Sequence, residues 1–227
     1  MARIERTDVG DYVYHVINRA NARVQIFDSD QDYKLFEGIL EEAVEKFDMR
    51  LLAYCIMPNH WHLVLYPRND GDLALFVGWL TNTHTRRWHT GKGTIGQGHL
   101  YQGRYKSFIC QDDAHFLSLV RYVERNARKA NLVKEAEDWK WSSAWMRENG
   151  TIEQQKLLSS WPVSKPKNYS NWLNEAQTKS EEDSIEKSIT KSNPYGGDGG
   201  VDSVVKRFGL EQTLRTVGRP KGTKNGG

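Results

Sequence analysis

The stretch Arg50-Leu-Leu-Ala-Tyr-Cys-Ile-Met-Pro-Asn-His-Trp-His-Leu-Val-Leu-Tyr66 reads as two apolar strands, Arg50 to Met57 and His60 to Tyr66, joined at Pro58-Asn59. Pro and Asn are turn residues, and only antiparallel neighbours accept so short a link. A hairpin here commits the surrounding chain to an antiparallel sheet.

Working outward, Tyr12-Val-Tyr-His-Val-Ile-Asn18 is rich in β-branched and aromatic residues and predicts a strand. Phe27 to Phe47 places Phe36, Ile39, Leu40, Ala43, Val44 and Phe47 at helical spacing, with Ser29 and Asp32 as a start signal. Beyond the hairpin, Asp72 is expected to cap a second helix with Leu73, Phe76, Val77 and Leu80 on one stripe. The glycine-rich loop Gly91 to Gly98 leads to a fourth strand at Arg104 to Cys110, and Asp112 or Asp113 starts a third helix running to about Asn131. The order is β-α-β-β-α-β plus one helix. This predicts an α+β, ferredoxin-like (RRM-like) fold, an antiparallel sheet with two helices on one face.

The expected division is residues 1–147 as the main domain, 148–200 as an extension and mobile linker, and 201–227 as a short helical segment with a basic tail. Asp138-Trp-Lys-Trp-Ser-Ser-Ala-Trp145 is an aromatic cluster suited to closing the core, and Gln177 to Gly200 has a linker's Ser, Glu, Lys and Gly content. Val201 to Arg215 predicts two short helices about Gly209.

Composition excludes whole classes. Mean hydropathy is −0.71, and no run approaches the roughly 18–20 apolar residues of a membrane span. Cys55 and Cys110 sit in strand-like runs without zinc spacing and read as buried reduced thiols of a cytosolic protein. Net charge is only +3, but basic residues concentrate between His84 and Asn131 and again after Val201. Such blocks favour phosphate backbones.

Side chains alternate along a strand, so His60 and His62 share a face roughly 7 Å apart while Trp61 points to the other. Two imidazoles so placed can share a metal ion. The third helix carries an apolar stripe (Phe116, Val120, Val123, Ala127, Ala130), a polar stripe (Ser118, Tyr122, Asn126, Lys129) and a basic stripe (Arg121, Arg125, Arg128). Tyr122 and Asn126 stack one turn apart. A phenol with a pKa near 10 is roughly 0.1% ionised at neutral pH, so using it as a nucleophile costs about 4 kcal/mol. A nearby cation lowers that cost. Two imidazoles and an amide oxygen form a mixed set suited to Mg²⁺ or Mn²⁺. The arginine stripe, with Arg104 and Lys106 on the fourth strand, suits a DNA backbone.

Met57-Pro-Asn-His-Trp-His-Leu-Val64 resembles the His-hydrophobe-His signature of single-tyrosine transposases, and Arg121-Tyr-Val-Glu-Arg-Asn126 resembles their catalytic-helix motif. Tyr14 to Arg19, Gly98-His-Leu-Tyr-Gln-Gly-Arg-Tyr-Lys106 and Trp139-Lys-Trp-Ser-Ser143 resemble further motifs of one branch, the REP-associated tyrosine transposases. The matches run in order over about residues 10–145. The resemblance implies His60 and His62 as metal ligands, Asn126 as a third ligand and Tyr122 as nucleophile. It implies nicking and strand transfer of single-stranded DNA beside small hairpins, through a tyrosine joined to the 5′-phosphate and a released 3′-OH. It also implies a monomer, with a dimer as the alternative, working in the bacterial cytoplasm near the nucleoid. Where relatives have Asn-Pro-Val, this chain has Asn126-Ala127-Arg128, so the helix is expected to continue through Ala130.

Arg215-Thr-Val-Gly-Arg219-Pro-Lys221 is similar to a minor-groove hook, or could restrain cleavage by lying over the site. Two other readings remain at this level: a non-catalytic hairpin-binding protein, and a metal-dependent phosphodiesterase that activates water.

Overall fold

The computed structural model describes residues 7–111 and 114–214. Strands β1 (Val13–Arg19), β2 (Arg50–Met57), β3 (His60–Tyr66) and β4 (Lys106–Cys110) form one antiparallel sheet in the order β2-β3-β1-β4. Helices α1 (Asp30–Phe47) and α2 (Asp72–Lys92) lie between β1 and β2 and between β3 and β4 in sequence, giving the ferredoxin-like plan expected from the hairpin. Strand β4 begins two residues later than the pattern suggested.

Trp61, Leu63 and Leu65 point into a core with Phe36, Ile39 and Leu40 of α1 and Leu73, Phe76 and Leu80 of α2. Trp61 is fully buried, and its Nε1 donates to Tyr101 Oη at 3.0 Å, which donates onward to His84 Nδ1 at 2.6 Å. The opposite sheet face carries a second core. There Val13, Cys55, Val64 and Phe108 meet Phe116, Leu119, Val120 and Val123 of α3 (Ala114–Glu124). The two cysteines are free and buried.

Helix starts follow local chemistry in part. Ser29 and Asp32 form the expected capping box at α1. At α2, Asp72 lies in the first turn behind an N-cap Gly71, and the carboxylate of Asp8 accepts from Leu73 and Ala74 N–H at 3.1 and 2.8 Å. The capping group is thus more than 60 residues away in sequence. The proposed starters Asp112 and Asp113 lie outside the described residues.

The third helix does not run unbroken to Asn131. It ends at Glu124, Arg125 adopts φ −86°, ψ −2°, and a short α4 spans Asn126–Lys129. The carbonyls of Tyr122 and Val123 accept the side-chain amide of Asn126, at 2.8 and 3.3 Å, instead of continuing the backbone ladder. Absence of proline was therefore not enough to keep the helix intact, because a side-chain donor competes for its carbonyls.

The aromatic cluster seals the outer edge of β2. Ile56 N–H donates to Trp141 O, Tyr54 N–H to Ser143 Oγ, and the carbonyl of Leu52, at the β2 irregularity, accepts from Trp161 and Arg147. Beyond it come α5 (Ser143–Asn149), α6 (Ile152–Gln155) and α7 (Tyr169–Asn174). Glu124, wholly buried at the end of α3, accepts from Ser143, Arg147 and Tyr169, tying that helix to α5 and α7.

Gln177 to Gly200, expected as a linker, instead contains helix α8 (Lys179–Lys191), started by a Thr178–Glu181 capping box. It docks through buried Ile185 and through ion pairs of Glu181 with Arg121 and of Glu182 and Glu186 with Lys129. Polar composition hid it because its partners lie on α3 and α4. Helices α9 (Asp198–Phe208) and α10 (Glu211–Leu214) meet at Gly209, whose φ of +63° suits glycine. Among the described residues, no helix is long and apolar enough to cross a membrane.

Removing one partner from a buried ion pair leaves an uncompensated charge, a loss of about 3–5 kcal/mol. Glu124→Ala should therefore lower stability by about that amount in chemical denaturation. Glu153→Ala, whose partner Lys156 is exposed, should change it by under about 1 kcal/mol. Equal effects would show that Glu124 does not anchor the extension.

Candidate functional site

Strand β3 delivers His60 and His62 to the same face, with ring centroids 5.0 Å apart, while Trp61 faces the other core. Tyr122 comes from α3, its ring 6.0 Å from that of His62, and Asn126 from the start of α4. All four line one cleft of about 660 Å³ together with Arg19, Arg23, Arg104 and Lys106.

Hydrogen bonds constrain what each imidazole presents. Asn59 Nδ2 donates to Arg23 O at 3.1 Å, which orients its amide, so Oδ1 must accept from His60 Nδ1 at 2.7 Å. His60 Nε2 then carries the lone pair. His62 Nδ1 lies 2.9 Å from His15 Nε2 on neighbouring β1, while His62 Nε2 is buried without a partner. An orphaned buried imidazole nitrogen is costly unless something occupies it. With His62 Nδ1–H donating to His15, both ligand candidates offer Nε2, the pattern in which a second residue sets the tautomer of a metal-binding histidine. Asn126 spends its N–H group on the Tyr122 carbonyl, leaving Oδ1 available. Among the described residues, no group of three or more His, Cys, Asp or Glu side chains is gathered to hold a metal. The donor set here is two imidazoles and an amide oxygen, all neutral, and it fits a divalent cation.

The electrostatics agree with that chemistry. Burial, with Arg19 nearby, pushes His60 down to about 4. Burial, then His60, His15 and Arg19, hold His62 well below the usual histidine range, and burial brings His15 to about 3. All three are neutral at physiological pH. Burial pushes the Tyr122 phenol up to about 12; Lys129, 5.5 Å from its ring centre, opposes this, while Glu186 and Glu182 reinforce it.

The remaining basic residues divide into two groups. Arg121 is held by Glu181 at 3.2 Å, and Arg128 by Asn174 O and by Glu135 at 3.4 Å. Arg125 is partly buried with its Nε unpartnered, and burial lowers its pKa with Arg128 and Arg121 beside it. Arg104 and Lys106 line the cleft without an ion-pair partner among the described residues. Their loop is pinned by buried Tyr101, by Gln102 N–H to Arg19 O, and by the Ala20–Tyr101 bridge. Arg219 and Lys221 lie outside the described residues.

Sequence reasoning missed His15, which becomes meaningful only once β1–β3 register sets it beside His62. It also missed Arg19, Arg23 and the α8 wall of Glu186, Ile189 and Thr190.

Comparison with known proteins follows the same lines. A family model described as "Transposase IS200 like" matches residues 8–126, just over half the chain. A protein of Haemophilus influenzae named as a REP-associated tyrosine transposase is 24% identical over 116 residues, covering 48% of this chain. The chain spans 66% of that relative's length, just under two thirds. A solved REP-associated tyrosine transposase bound to a REP hairpin superposes with a TM-score of 0.54 at 15% identity, covering 74% of this chain and 96% of that one, a likeness of fold.

Buried His15, His62 and His84 (down to about 3) are neutral in the folded state and titrate near 6.5 when unfolded. Their contribution is fully present above pH 6.5 and is lost as pH falls below it, at roughly 1.4 kcal/mol per pH unit for each histidine. Denaturation of the metal-free protein in chelator should show stability dropping steeply between pH 6.5 and 5. A flat profile across that window would mean these rings are not held neutral.

Proposed function

The chain belongs to the IS200-like transposase family, and from that premise we propose that it nicks and rejoins single-stranded DNA beside hairpins, with Tyr122 as nucleophile. The observation that carries this reading is the meeting of Tyr122 and Asn126 with two neutral histidines around a buried, unpartnered His62 Nε2.

In this mechanism His60, His62 and Asn126 hold Mg²⁺ or Mn²⁺. When bound, the ion offsets phosphate charge and makes the phosphorus a better electrophile. Arg104 and Lys106 hold flanking backbone phosphates in the cleft. The Tyr122 oxygen bonds to phosphorus as its proton passes to solvent; the bond from phosphorus to the 3′ oxygen breaks, and that oxygen takes a proton from solvent and leaves as a 3′-OH. The product is a 5′-phosphotyrosine, which the same or another 3′-OH can attack in reverse. No bond energy is lost to hydrolysis, so transposition needs no external energy source. Lys129, beside the ring, keeps positive charge next to the developing phenolate.

His60, His62 and Tyr122 converge within one chain, which supports a monomer as the working unit. DNA as substrate supports a cytoplasmic, nucleoid-associated site of action.

Incubation with labelled hairpin DNAs bearing single-stranded flanks, in Mg²⁺ or Mn²⁺, should yield a protease-sensitive protein–DNA band and a shortened 3′-OH product. Tyr122→Phe should abolish the band and slow cleavage more than about 1,000-fold while retaining DNA binding. His62→Ala should abolish metal-dependent cleavage. Cleavage surviving Tyr122→Phe would point to a water-activating phosphodiesterase, and binding without cleavage in any metal to a non-catalytic hairpin reader.

A further inference from the structure

A second cavity, of about 500 Å³, runs along the outer side of β4, bounded by the last residues of α8 and by Leu210 and Thr213 at α10. It shares Arg104, Lys106 and Thr190 with the cleft that holds Tyr122, so the two adjoin at these side chains and together make a trough along this side of the sheet.

The trough differs in charge from the surface around it. Arg19, Arg23, Arg104, Lys106 and Lys191 line it, and none makes an ion pair among the described residues. Among the described residues its one carboxylate, Glu186, is tied to Lys129 at 3.1 Å. On the tyrosine helix and just beyond it, by contrast, Arg121, Arg128 and Lys129 are each held by carboxylates. Cations left without counter-ions in a concave surface attract a polyanion.

The backbone adds a second feature. Strand β4 lies at the sheet edge. Tyr195 covers its far end, donating to Ile109 O at 2.8 Å and accepting from Gln111 N–H at 2.9 Å. By the two-residue period of a strand, Ser107 presents its N–H and C=O in the same outward direction. Ser107 lines the cavity, and these groups have no backbone partner among the described residues. Thr190 lies on the same wall, a residue type that contacts phosphate and sugar.

We propose that this trough carries the single-stranded DNA flanking the hairpin to the scissile phosphate, with Lys191 and the open edge of β4 gripping it before Arg104 and Lys106. The proposal rests on the reading of DNA as substrate and names its path. Five strand residues span about 16 Å, a length suited to a few nucleotides rather than a duplex. The chain's own residues 215–227 are a poor occupant, since they carry Arg215, Arg219, Lys221 and Lys224 and no acid.

The test uses the full chain with Tyr122→Phe and no divalent cation, so only binding is read. Probes are a hairpin with a 5′ flank, one with a 3′ flank, and the same hairpin with neither. Lys191→Glu should weaken binding of one flanked probe about 10-fold and Lys191→Ala about 3-fold. Both should reduce its salt slope by about one and leave the flankless hairpin within twofold. Equal loss on all probes, or no loss on any, overturns the proposal while leaving hairpin recognition standing. Tighter flanked-probe binding after deletion of residues 215–227, with Lys191→Glu silent, overturns it by making the tail the occupant. Failure of the parent protein to bind any hairpin removes both the path and the proposed function. Unchanged thermal unfolding of the Lys191 variants keeps these outcomes separate from misfolding.

Discussion

The pleat of β3 is the constraint on which the rest depends. Three consecutive residues face alternately: Trp61 closes the core under α1 and α2, while His60 and His62 emerge on the side of the tyrosine helix. A one-residue slip would bury two imidazoles among Phe36 and Phe76 and expose an indole, so the hydrophobic demand of Trp61 fixes the histidines. Burying such a side chain contributes roughly 1.5–3 kcal/mol, and the Trp61–Tyr101–His84 hydrogen bonds add direction to it. The same chain of bonds holds the loop that presents Arg104. Core packing on one face thereby positions chemistry on the other.

The tyrosine helix is fixed by a different kind of interaction. Its apolar stripe rests on the sheet, but its rotation and end are set by polar groups. Glu124 draws in Ser143, Arg147 and Tyr169; Arg121 is held by α8; and Asn126 closes the helix by bonding to the Tyr122 carbonyl. Buried ion pairs add little net stability compared with an apolar contact, yet they define one geometry well. The segment from 136 to 191 is therefore a brace for the residue that would attack DNA.

What was legible in the sequence was what has a short period. The hairpin at Pro58-Asn59, the face shared by His60 and His62, the apolar stripes of α1 and α2, and the Ser29–Asp32 box all follow from residues within a few positions of one another. What was not legible depends on distant partners. Asp8 caps α2 across more than 60 residues, His15 meets His62 only through β1–β3 register, and α8 folds against cations on α3 and α4. One local signal for α8 was present, Thr178 three residues before Glu181, and was outweighed by polar composition. The helix break at Arg125 is local yet was still hidden, because the Asn126 side-chain amide competes with the backbone for the Tyr122 carbonyl.

These two kinds of constraint meet at the nucleophile. With its phenol pushed up to about 12, Tyr122 would need roughly 7 kcal/mol to ionise at neutral pH in the protein alone. Burial is the main cause, and the opposing pull of Lys129 is offset in part by Glu182 and Glu186 of α8, with which it pairs. The resting protein thus keeps its tyrosine protonated and unreactive. On the proposed mechanism, activation must come from what arrives in the cleft, cation and DNA together. On that reading the nucleophile stays silent until substrate and cation are both seated, the property needed by an enzyme that must not cleave indiscriminately, with burial as the largest contributor to its silence.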